Sequence, residues 1–325
     1  IVGELVEFLS GGSLMVMLIL VAVMSLLLGM GLPTTANYIV VSSLMAPVIV
    51  IVGGQSGLVV PLVAAHMFVF YFGILADDTP PVGLAAFAAA AISRGDPIKT
   101  GVQGFMYDIR TALLPFLFIF NTDLLLIDVG WAQAIMVFLV AVVAMMCFAA
   151  ATQGYFFARN KIWEAPILLL IAFTLFRPGF WLDQVEAPYH TYQGPEIIDA
   201  AAGLPDGGSM RIIISGPDFD TGEIGETTLV PELPADGGGI ERLAAAGLDA
   251  RSEDGVIKLD EPAFGSAYFE KLSRQYDFYG DEPVQLLRAQ VAADRMPKEI
   301  FFIPAFLLLV LLVLVQRRRA TQPAF

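Results

Sequence analysis

The chain has 325 residues, 57% of them hydrophobic, and a mean hydropathy of +0.71. Ordinary soluble domains are about 45–50% apolar, so the composition indicates a membrane protein. Residues 179–299 hold 9 Lys and Arg against 23 Asp and Glu, which is a net charge of −14 and the whole net charge of the chain. Such an acidic surface repels nucleic acid and anionic lipid headgroups, so we expect no nucleic-acid partner.

Apolar runs follow one another along the chain, and a spanning helix needs about 17–25 residues. We expect Pro47 to interrupt the second run. The shorter runs at 162–176 and 300–315 are flanked by Lys and Arg, whose side chains can snorkel to the interface. The predicted helices cover residues 13–30, 36–54, 58–76, 80–93, 111–130, 131–152, 162–176 and 300–315.

Basic residues near these runs cluster in a predicted loop at 94–110, in a loop at 153–161 and in the tail at Arg317–Arg319. Because such residues mark the cytoplasmic side of a membrane, the carboxyl terminus is predicted to be cytoplasmic. The turn at 127–131 and the acidic segment 179–299 are then outside. In a bacterial cell this describes a multi-pass protein of the inner membrane with 179–299 in the periplasm.

The acidic segment 179–299 has the sequence pattern of a separate domain. Gly, Pro and Asp clusters typical of turns lie between short runs typical of strands. At about 120 residues it is long enough to bury its own core. The predicted strands are 210–216, 227–233, 255–260 and 284–291, and the predicted helices are 240–248 and 266–276. The order of helix, turn and strand over 264–291 is faintly PDZ-like.

The fold class expected is therefore an α-helical polytopic membrane protein joined to a small α+β extracytoplasmic domain. Its parts are a membrane domain at 1–178, the acidic domain at 179–299, and a final transmembrane helix with a basic tail at 300–325. Because the chain starts at Ile1 without a signal sequence, we expect it to be a piece of a longer protein.

The stretch "ADDTPPVG", residues 76–83, is unusual between two apolar runs. Two prolines in succession rarely continue a helix, and a carboxylate at membrane depth persists where it faces a cavity, an ion or a partner. One helix is expected to end near Asp77 and another to begin near Pro80, with Thr79 as its N-cap. Frayed backbone at this depth is tolerated beside a water-filled site or inside protein.

A second interruption, "LLLGMGLPTTANYIVV" at 26–41, has the same character. Gly29 and Gly31 open the backbone, Pro33 stops the helix, and hydroxyl and amide groups follow at Thr34, Thr35 and Asn37. Paired discontinuous helices are a pointer to the ion and substrate site of a secondary transporter. Freed carbonyls can coordinate Na⁺, and half-helix N-termini can hold an anionic group.

Three stretches resemble the large membrane subunit of TRAP transporters in its fused form, in which small and large subunits share one chain. They are "GMGLPTTANYIVVSSLMAPVIV", "PLVAAHMFVFYFGILADDTPPVGLAAFAAAAISRGDPIKTG" and "LLPFLFIFNTDLLL". The resemblance covers residues 1–178, and a carboxy-terminal extension ending in sequence like "FFIPAFLLLVLLVLVQRRR" also fits the fused permeases.

The resemblance implies an elevator-type, Na⁺-coupled importer of small organic anions such as carboxylates, served by a periplasmic substrate-binding protein. It implies no enzyme activity and no cofactor besides Na⁺ as the coupling ion. The first inverted repeat and the small-subunit helices do not occur in this sequence. We therefore expect the remainder of the permease as a partner, and this chain to supply half of a transport domain with a re-entrant hairpin and broken helices.

The resemblance also places site residues at the cation and substrate sites. The hairpin would hold Asp78, Thr79, Pro80, Pro81 and Gly83, and the broken helix would hold Gly31, Thr34, Thr35 and Asn37. Gly29, at the break between the two helices, is a further candidate for the cation and substrate sites. The candidates for Na⁺ are Thr34, Thr79 and Gly83.

Plainer interpretations stay open for several residues. Asp77 and Asp78 could lie in a solvated loop, whereas an aspartyl dyad is disfavoured because adjacent residues on a helix diverge by roughly 100°. Thr34, Thr35 and Asn37 could simply cap a helix. His66 fits a packed, hydrogen-bonded histidine, Asn121 and Asp123 fit a helix end as well as a pathway, and Cys147 fits packing.

A different class of function also fits the acidic domain. Residues 179–299 could be a membrane-anchored periplasmic interaction module, with the helices serving as its anchor. No nucleophile–base pair and no metal-ligand spacing occurs in this segment of the sequence.

Overall fold

The computed structural model describes residues 9, 13–30, 33–55, 58, 60–79, 83–127, 129–234, 237–253 and 255–319, without the side chains of residues 54, 55, 77, 78 and 84. The chain divides into two compact units. One unit, here called the membrane unit, comprises the chain up to Val185 and from Met296 onward. The other, the 186–295 unit, runs from Glu186 to Arg295.

The membrane unit is helical in its described part. Two 3₁₀ segments, Thr122–Leu125 and Lys298–Phe301, lie beside the longer helices. The α-helices are α1 Leu14–Gly29, α2 Thr34–Gln55, α3 Leu62–Asp78, α4 Leu84–Ser93, α5 Pro97–Phe120, α6 Trp131–Gln153, α7 Glu164–Phe176, α8 Pro178–Val185 and α12 Phe302–Arg319.

Three stretches of the described chain are long and apolar enough to cross a membrane: Thr34–Gly53, Trp131–Gln153 and Lys298–Arg319. The pair α7 and α8 is bent by 80° and counts as a fourth if it is one broken span. Leu14–Gly29 and Leu62–Ala76 are shorter apolar helices. The predicted helices at 13–30, 131–152 and 300–315 are confirmed within a few residues.

Three predictions about helix limits were wrong. The helix predicted at 111–130 ends at Phe120, before the 3₁₀ segment Thr122–Leu125. Helix α2 runs through Pro47 without interruption, and α5 likewise contains Pro115. A proline inside a membrane helix is tolerated where neighbouring groups compensate the freed backbone. The predicted loop at 94–110 is largely the first half of α5, because Asp96 accepts a hydrogen bond from the Lys99 N–H (3.0 Å) and Pro97 occupies the first helical position.

The helices of the membrane unit pack in two groups. The first helical cluster comprises α1, α2, α3 and the Ile119 side of α5, and its fully buried side chains include Leu18, Ile49 and Phe68. The second helical cluster comprises α6, α7, α12 and the Leu117 side of α5. Helix α5 therefore lies between the two clusters and contributes to both.

A polar network joins the terminal helix to the second helical cluster. Glu164, at the start of α7, is fully buried and accepts hydrogen bonds from Gln316 Nε2 (3.0 Å) and from Arg319. The Gln316 side chain also bonds the Phe157 N–H (3.1 Å) and Asn160 Oδ1 (2.9 Å). Because charge-assisted hydrogen bonds are strong in a low-dielectric interior, this network fixes α12 against the loop between α6 and α7.

The 186–295 unit is an antiparallel sheet with helices. Its strands are β1 Tyr189–Tyr192, β2 Gly208–Ser209, β3 Arg211–Pro217, β4 Ile224–Leu229, β5 Glu232–Leu233, β6 Ala250–Glu253, β7 Val256–Leu259 and β8 Gln285–Ala292. The order is β4-β3-β8-β7-β6, β1 also pairs with β8, and β2 pairs with β5 in a separate sheet. Its helices are α9 Glu196–Gly203, α10 Gly239–Ala245 and α11 Phe269–Gln275.

A core of its own supports the 186–295 unit, with Ile212 and Ile214 of β3 packed against Ile197, Leu243 and Leu272 of the helices. The Tyr276 hydroxyl donates to the Ile214 carbonyl (3.1 Å), and burial raises the pKa of Tyr276 to about 12. The prediction of a helical membrane part followed by a carboxy-terminal α+β region is confirmed by these elements.

The sequence predicted most strands of this unit, with exceptions. The predicted strand 227–233 is divided into β4 and β5 around Pro231, which cannot donate to a ladder. Strands β1, β2 and β6 and helix α9 were missed. The roles assigned to 1–178, 179–299 and 300–325 remain predictions.

Candidate functional site

The first helix break lies between α1 and α2. Helix α1 ends at Gly29, and α2 begins at Thr34, directly after Pro33. Proline suits this position because its missing N–H is one that a helix start leaves unpaired anyway. Pro33 therefore starts the second helix, and the expectation that it stops the first is corrected.

The second break lies between α3 and α4. Helix α3 ends at Asp78, the backbone turns extended at Thr79, and α4 starts after Gly83 in the left-handed region (φ +38°). The prediction that Thr79 is an N-cap was wrong, because its hydroxyl donates back to the Leu75 carbonyl (2.6 Å) in its own helix. Glycine at 83 is required by the positive φ, which other residues adopt at a cost.

The two breaks meet in space through α1 and α3. A Cβ placed on Gly29 would lie 2.4 Å from Ala76 Cβ and 2.7 Å from Asn37 Nδ2, and one placed on Gly73 would lie 3.1 Å from the same amide. The last turn of α1, the first turns of α2 and the last turns of α3 therefore converge on Asn37. Small residues permit this close backbone approach, as they do between membrane helices in general.

Asn37 is the polar group at this convergence, and its side chain is fully buried. Its Nδ2 donates to the Ser25 carbonyl (3.3 Å), whereas its Oδ1 has no hydrogen-bond partner among the residues that the structure describes. A buried acceptor without a donor costs about 1–3 kcal/mol. The amide thus presents a buried oxygen that a cation could bind.

The remaining predicted site residues are placed as follows. Thr34 is half-buried in the first turn of α2, and Thr35 beside it is exposed. Gly31, Pro80 and Pro81 lie outside the described residues, as does the side chain of Asp78. The structure brings Gly29 and Asn37 together with the end of α3, while the hydroxyl of Thr79 is engaged locally.

Sequence reasoning missed three residues of this convergence, which are Ser25, Gly73 and Ala76. Ser25 is buried, donates its hydroxyl to the Val21 carbonyl (2.8 Å) and supplies the carbonyl that Asn37 binds. The one available signal was Gly73, an isolated glycine in the apolar run "FYFGILA", since such a glycine indicates close packing.

The plainer interpretations hold for several other residues. His66 Nδ1 is hydrogen-bonded to the Tyr38 hydroxyl (2.9 Å), as predicted for a packed histidine. Asn121 ends α5 and donates to the Phe176 carbonyl (2.6 Å), and Asp123 forms an ion pair with Lys298. Cys147 is buried in the second helical cluster.

Chemically, the convergence offers neutral oxygen ligands. Within the described part of the chain, no group of three or more His, Cys, Asp or Glu side chains could hold a metal ion. The groups available are the Asn37 amide oxygen and the backbone at two helix ends, which suit a monovalent, oxygen-seeking cation better than a transition metal.

Comparison with known families divides the chain in two. The family model described as "Tripartite ATP-independent periplasmic transporter, DctM component" matches residues 1–133. The model described as "Domain of unknown function (DUF3394)" matches residues 134–322. No curated protein and no solved structure matches the chain. The border between the two matches lies at the start of α6.

Proposed function

Because residues 1–133 match the large permease component of the tripartite ATP-independent periplasmic (TRAP) transporters, and the chain belongs over residues 134–322 to the DUF3394 family, we propose that it is part of a Na⁺-coupled secondary transporter. The substrates proposed are small organic anions such as carboxylates. The TRAP family is one of transporters, in which the permease works with a substrate-binding protein and further components.

The observation that carries the proposal is the buried Asn37 amide between two helix breaks. A transporter needs a site that is costly when empty and satisfied when the ion binds, so that ion binding shifts the population of states. The Asn37 oxygen, without a partner among the described residues, fits that requirement. Backbone carbonyls at the ends of α1 and α3 supply further oxygens for Na⁺.

The mode of transport proposed is of the elevator type, with 72–93 as a re-entrant hairpin and 26–41 as a broken helix. Bound Na⁺ would hold the two breaks in a state that accepts the anion near the N-terminus of α4 or α2, where helix dipoles favour negative charge. Thr34, Thr79 and Gly83 remain the candidates for Na⁺ ligands beside Asn37, with Asp78 and the two prolines shaping the hairpin.

The partners proposed are the periplasmic substrate-binding protein, the small-subunit helices and the first inverted repeat, in the fused form of the permease. The location proposed is the bacterial inner membrane, with the 186–295 unit in the periplasm and the carboxyl terminus in the cytoplasm. The basic residues of the 153–161 loop and of Arg317–Arg319 support this orientation.

The test is Na⁺-dependent uptake in proteoliposomes that contain the complete transporter. We expect Asn37→Ala to raise the Na⁺ concentration needed for half-maximal uptake by about tenfold, as expected for the loss of one hydrogen-bond-strength ligand. Ser43→Ala is the matched control, since Ser43 lies on the same helix, is exposed and donates to the Val40 carbonyl within that helix.

A second measurement separates ion binding from folding. The detergent-purified chain should melt at a higher temperature in NaCl than in KCl of equal concentration, because a ligand stabilises the state that binds it. Asn37→Ala should remove the difference. Unchanged Na⁺ dependence in Asn37→Ala and in the double variant Asp78→Ala, Thr79→Val would contradict the site.

A membrane-anchored interaction module is a second candidate function for the 186–295 unit. Phe264 and Tyr279 are 90% and 84% exposed, and β4 and β6 are at the ends of the described sheet. Such edges can accept a peptide strand, as PDZ domains do. Full-length chain bearing Phe264→Ser and Tyr279→Ser should lose its partner in a pull-down, and a partner unrelated to transport would favour this second function.

A further inference from the structure

The 186–295 unit buries two arginine side chains, and they differ in how many of their N–H groups have a hydrogen-bond acceptor. The Arg242 side chain is 1% exposed, and its guanidinium is surrounded by backbone carbonyl oxygens. It donates to the carbonyls of Ala201, Ala202, Leu204, Pro205, Leu233 and Pro234 at 2.5–3.4 Å. Arg242 is therefore satisfied by the fold itself.

Arg211, at the start of β3, is 8% exposed and lacks this satisfaction. Its Nε and Nη2 atoms are shielded from water, and among the described residues neither donates a hydrogen bond. The guanidinium lies 4.6 Å from the centre of the Tyr189 ring, a cation–π contact that holds its plane but uses none of its N–H groups.

The sheet places further polar groups in the same row as Arg211. Arg211 pairs with Gln290 of β8, and Gln290 pairs with Thr191 of β1 on its other side. Directly paired residues project from the same face of a sheet, and Gln290 Nε2 donates to Thr191 Oγ1 (3.5 Å). The row therefore consists of a guanidinium, an amide and a hydroxyl beside an aromatic ring.

The two unpaired donors are those on one edge of the guanidinium. The Nε–H and the adjacent Nη2–H point in the same direction, and this fork matches the two oxygens of a carboxylate. Leaving both donors buried and unpaired costs free energy that a bidentate acceptor would recover. The unit holds 8 Lys and Arg against 21 Asp and Glu, so a singly charged group is favoured over a phosphate dianion.

We propose that Arg211, supported by Tyr189 and by the polar row at Gln290 and Thr191, is the anchor of a carboxylate-binding site in the 186–295 unit. The carboxylate is that of a free organic acid or that of an acidic side chain in a partner protein. The site is separate from the Asn37 convergence and does not depend on the proposed transport function.

The test uses the full chain in detergent and hydrogen exchange measured by mass spectrometry. Acetate, succinate and N-acetyl-glutamate α-amide are added in turn, with NaCl at the same ionic strength as the control. We expect a saturable slowing of exchange in the segments of β1, β3 and β8. At ten times the dissociation constant, exchange through local opening should slow about tenfold.

The compounds that slow hydrogen exchange show whether the carboxylate comes from a free acid or from a protein side chain. Protection by acetate or succinate alone assigns a free acid, and protection by the glutamate amide alone assigns a protein side chain. Either result supports the site, whereas no effect from all three compounds would overturn it.

Substitutions make the test specific to Arg211. Arg211→Lys keeps the charge but loses the fork, so carboxylate binding should weaken by at least about tenfold. Arg288→Lys is the matched control, because it makes the same substitution at a half-exposed arginine of β8 that pairs with Glu226 (3.2 Å). Equal loss of binding in Arg288→Lys, or none in Arg211→Lys, would count against the proposal.

The exchange protection of the unit's core distinguishes a binding role of Arg211 from a structural one. If Arg211 only supported the fold, its replacement would lower this protection. Because Arg211 keeps two N–H groups buried without an acceptor, Arg211→Met should leave the exchange protection of the unit's core unchanged or increase it. Arg242→Met should lose that protection, because six carbonyls lose their donor. Loss of core protection in Arg211→Met comparable to that in Arg242→Met would assign Arg211 to the fold and overturn the proposal.

Discussion

In the first helical cluster, α1 and α3 approach through Gly29, Gly73 and Ala76, and the hydrogen bonds from Asn37 and Tyr38 of α2 reach Ser25 and His66. In the second helical cluster, α12 is joined to α7 and to the preceding loop by Glu164, Gln316 and Arg319. Both clusters are apolar and helical, yet one interface is made of small residues and the other of hydrogen bonds.

The difference bears on how freely the helices of each cluster can shift. Contacts between small residues are not directional, so they restrict sliding of α1 against α3 less than a buried polar network with a single satisfied geometry would. The border between the two family matches, at 133/134, lies at the start of α6 and so separates α5, which contributes to both clusters, from the helices α6, α7 and α12 of the second cluster. We expect α6, α7 and α12 to stay together, while α1 and α3 are the helices whose contact can adjust.

The largest effect expected is from Glu164, the buried centre of the polar network. Glu164→Ala removes the carboxylate that accepts from both Arg319 and Gln316, which should cost about 2–4 kcal/mol, somewhat less than for a fully buried pair because Arg319 keeps some exposure. The measurement is thermal unfolding of the detergent-purified chain. Glu164→Gln retains the shape and one acceptor and should lose less.

If Glu164→Ala melts like the wild type, the polar network does not hold α12, and the two clusters do not differ in how their helices are joined. An equal loss in the Ala and Gln variants would instead assign the effect to the charge alone.

A smaller effect is expected at Gly29, which tests the close approach in the first helical cluster. Gly29→Ala places a methyl group 2.4 Å from Ala76 Cβ, so the helices must separate at a cost of about 1–3 kcal/mol. Gly104→Ala is the control, because a Cβ there meets nothing within 4 Å in the middle of α5. That variant should gain up to about 1 kcal/mol from helix propensity.

A melting temperature that rises in both glycine variants would show that α1 and α3 do not depend on this contact. A fall in Gly29→Ala alone would identify the close approach as a feature that stabilises the first helical cluster.

The smallest effect is expected at the opposite end of the second helical cluster from Glu164. Lys298 pairs with Asp123, and the two side chains are 33% and 20% exposed. Lys298→Met should cost no more than about 1 kcal/mol, as for other partly exposed ion pairs. The difference from the wild type should shrink in 1 M salt, where screening weakens such pairs; a loss as large as that of Glu164→Ala would contradict this ranking.

The sequence predicted the long apolar helices well because their signal is local. Helix α6 is an unbroken apolar run that ends at Gly154 in the left-handed conformation (φ +71°), a common helix stop. The first half of α5 was mistaken for a loop because of its charges, although Asp96 and Pro97 form a recognisable helix start. The capping residues are therefore a local signal of this helix start that outweighs the charges that follow it.

The candidate site was predictable only in part. Gly29 and Asn37 stood out because glycine and amide groups are rare in apolar runs, but their partners Ser25 and Ala76 are ordinary residues in membrane helices. Nor could the sequence separate Arg211 from Arg242, since the difference between them is the set of carbonyls that the fold brings to one of them. Such distinctions depend on contacts between distant segments.

The 186–295 unit starts and finishes on neighbouring strands, since Tyr189 of β1 pairs with Ala292 of β8 and Arg295 Nη1 bonds the Glu186 carbonyl (3.4 Å). A module whose two ends are adjacent can be excised or exchanged without stretching the chain on either flank. A short turn between residues 188 and 293 should therefore close the gap left by removing the unit, since the Ala293 N–H already bonds the Pro188 carbonyl (3.1 Å).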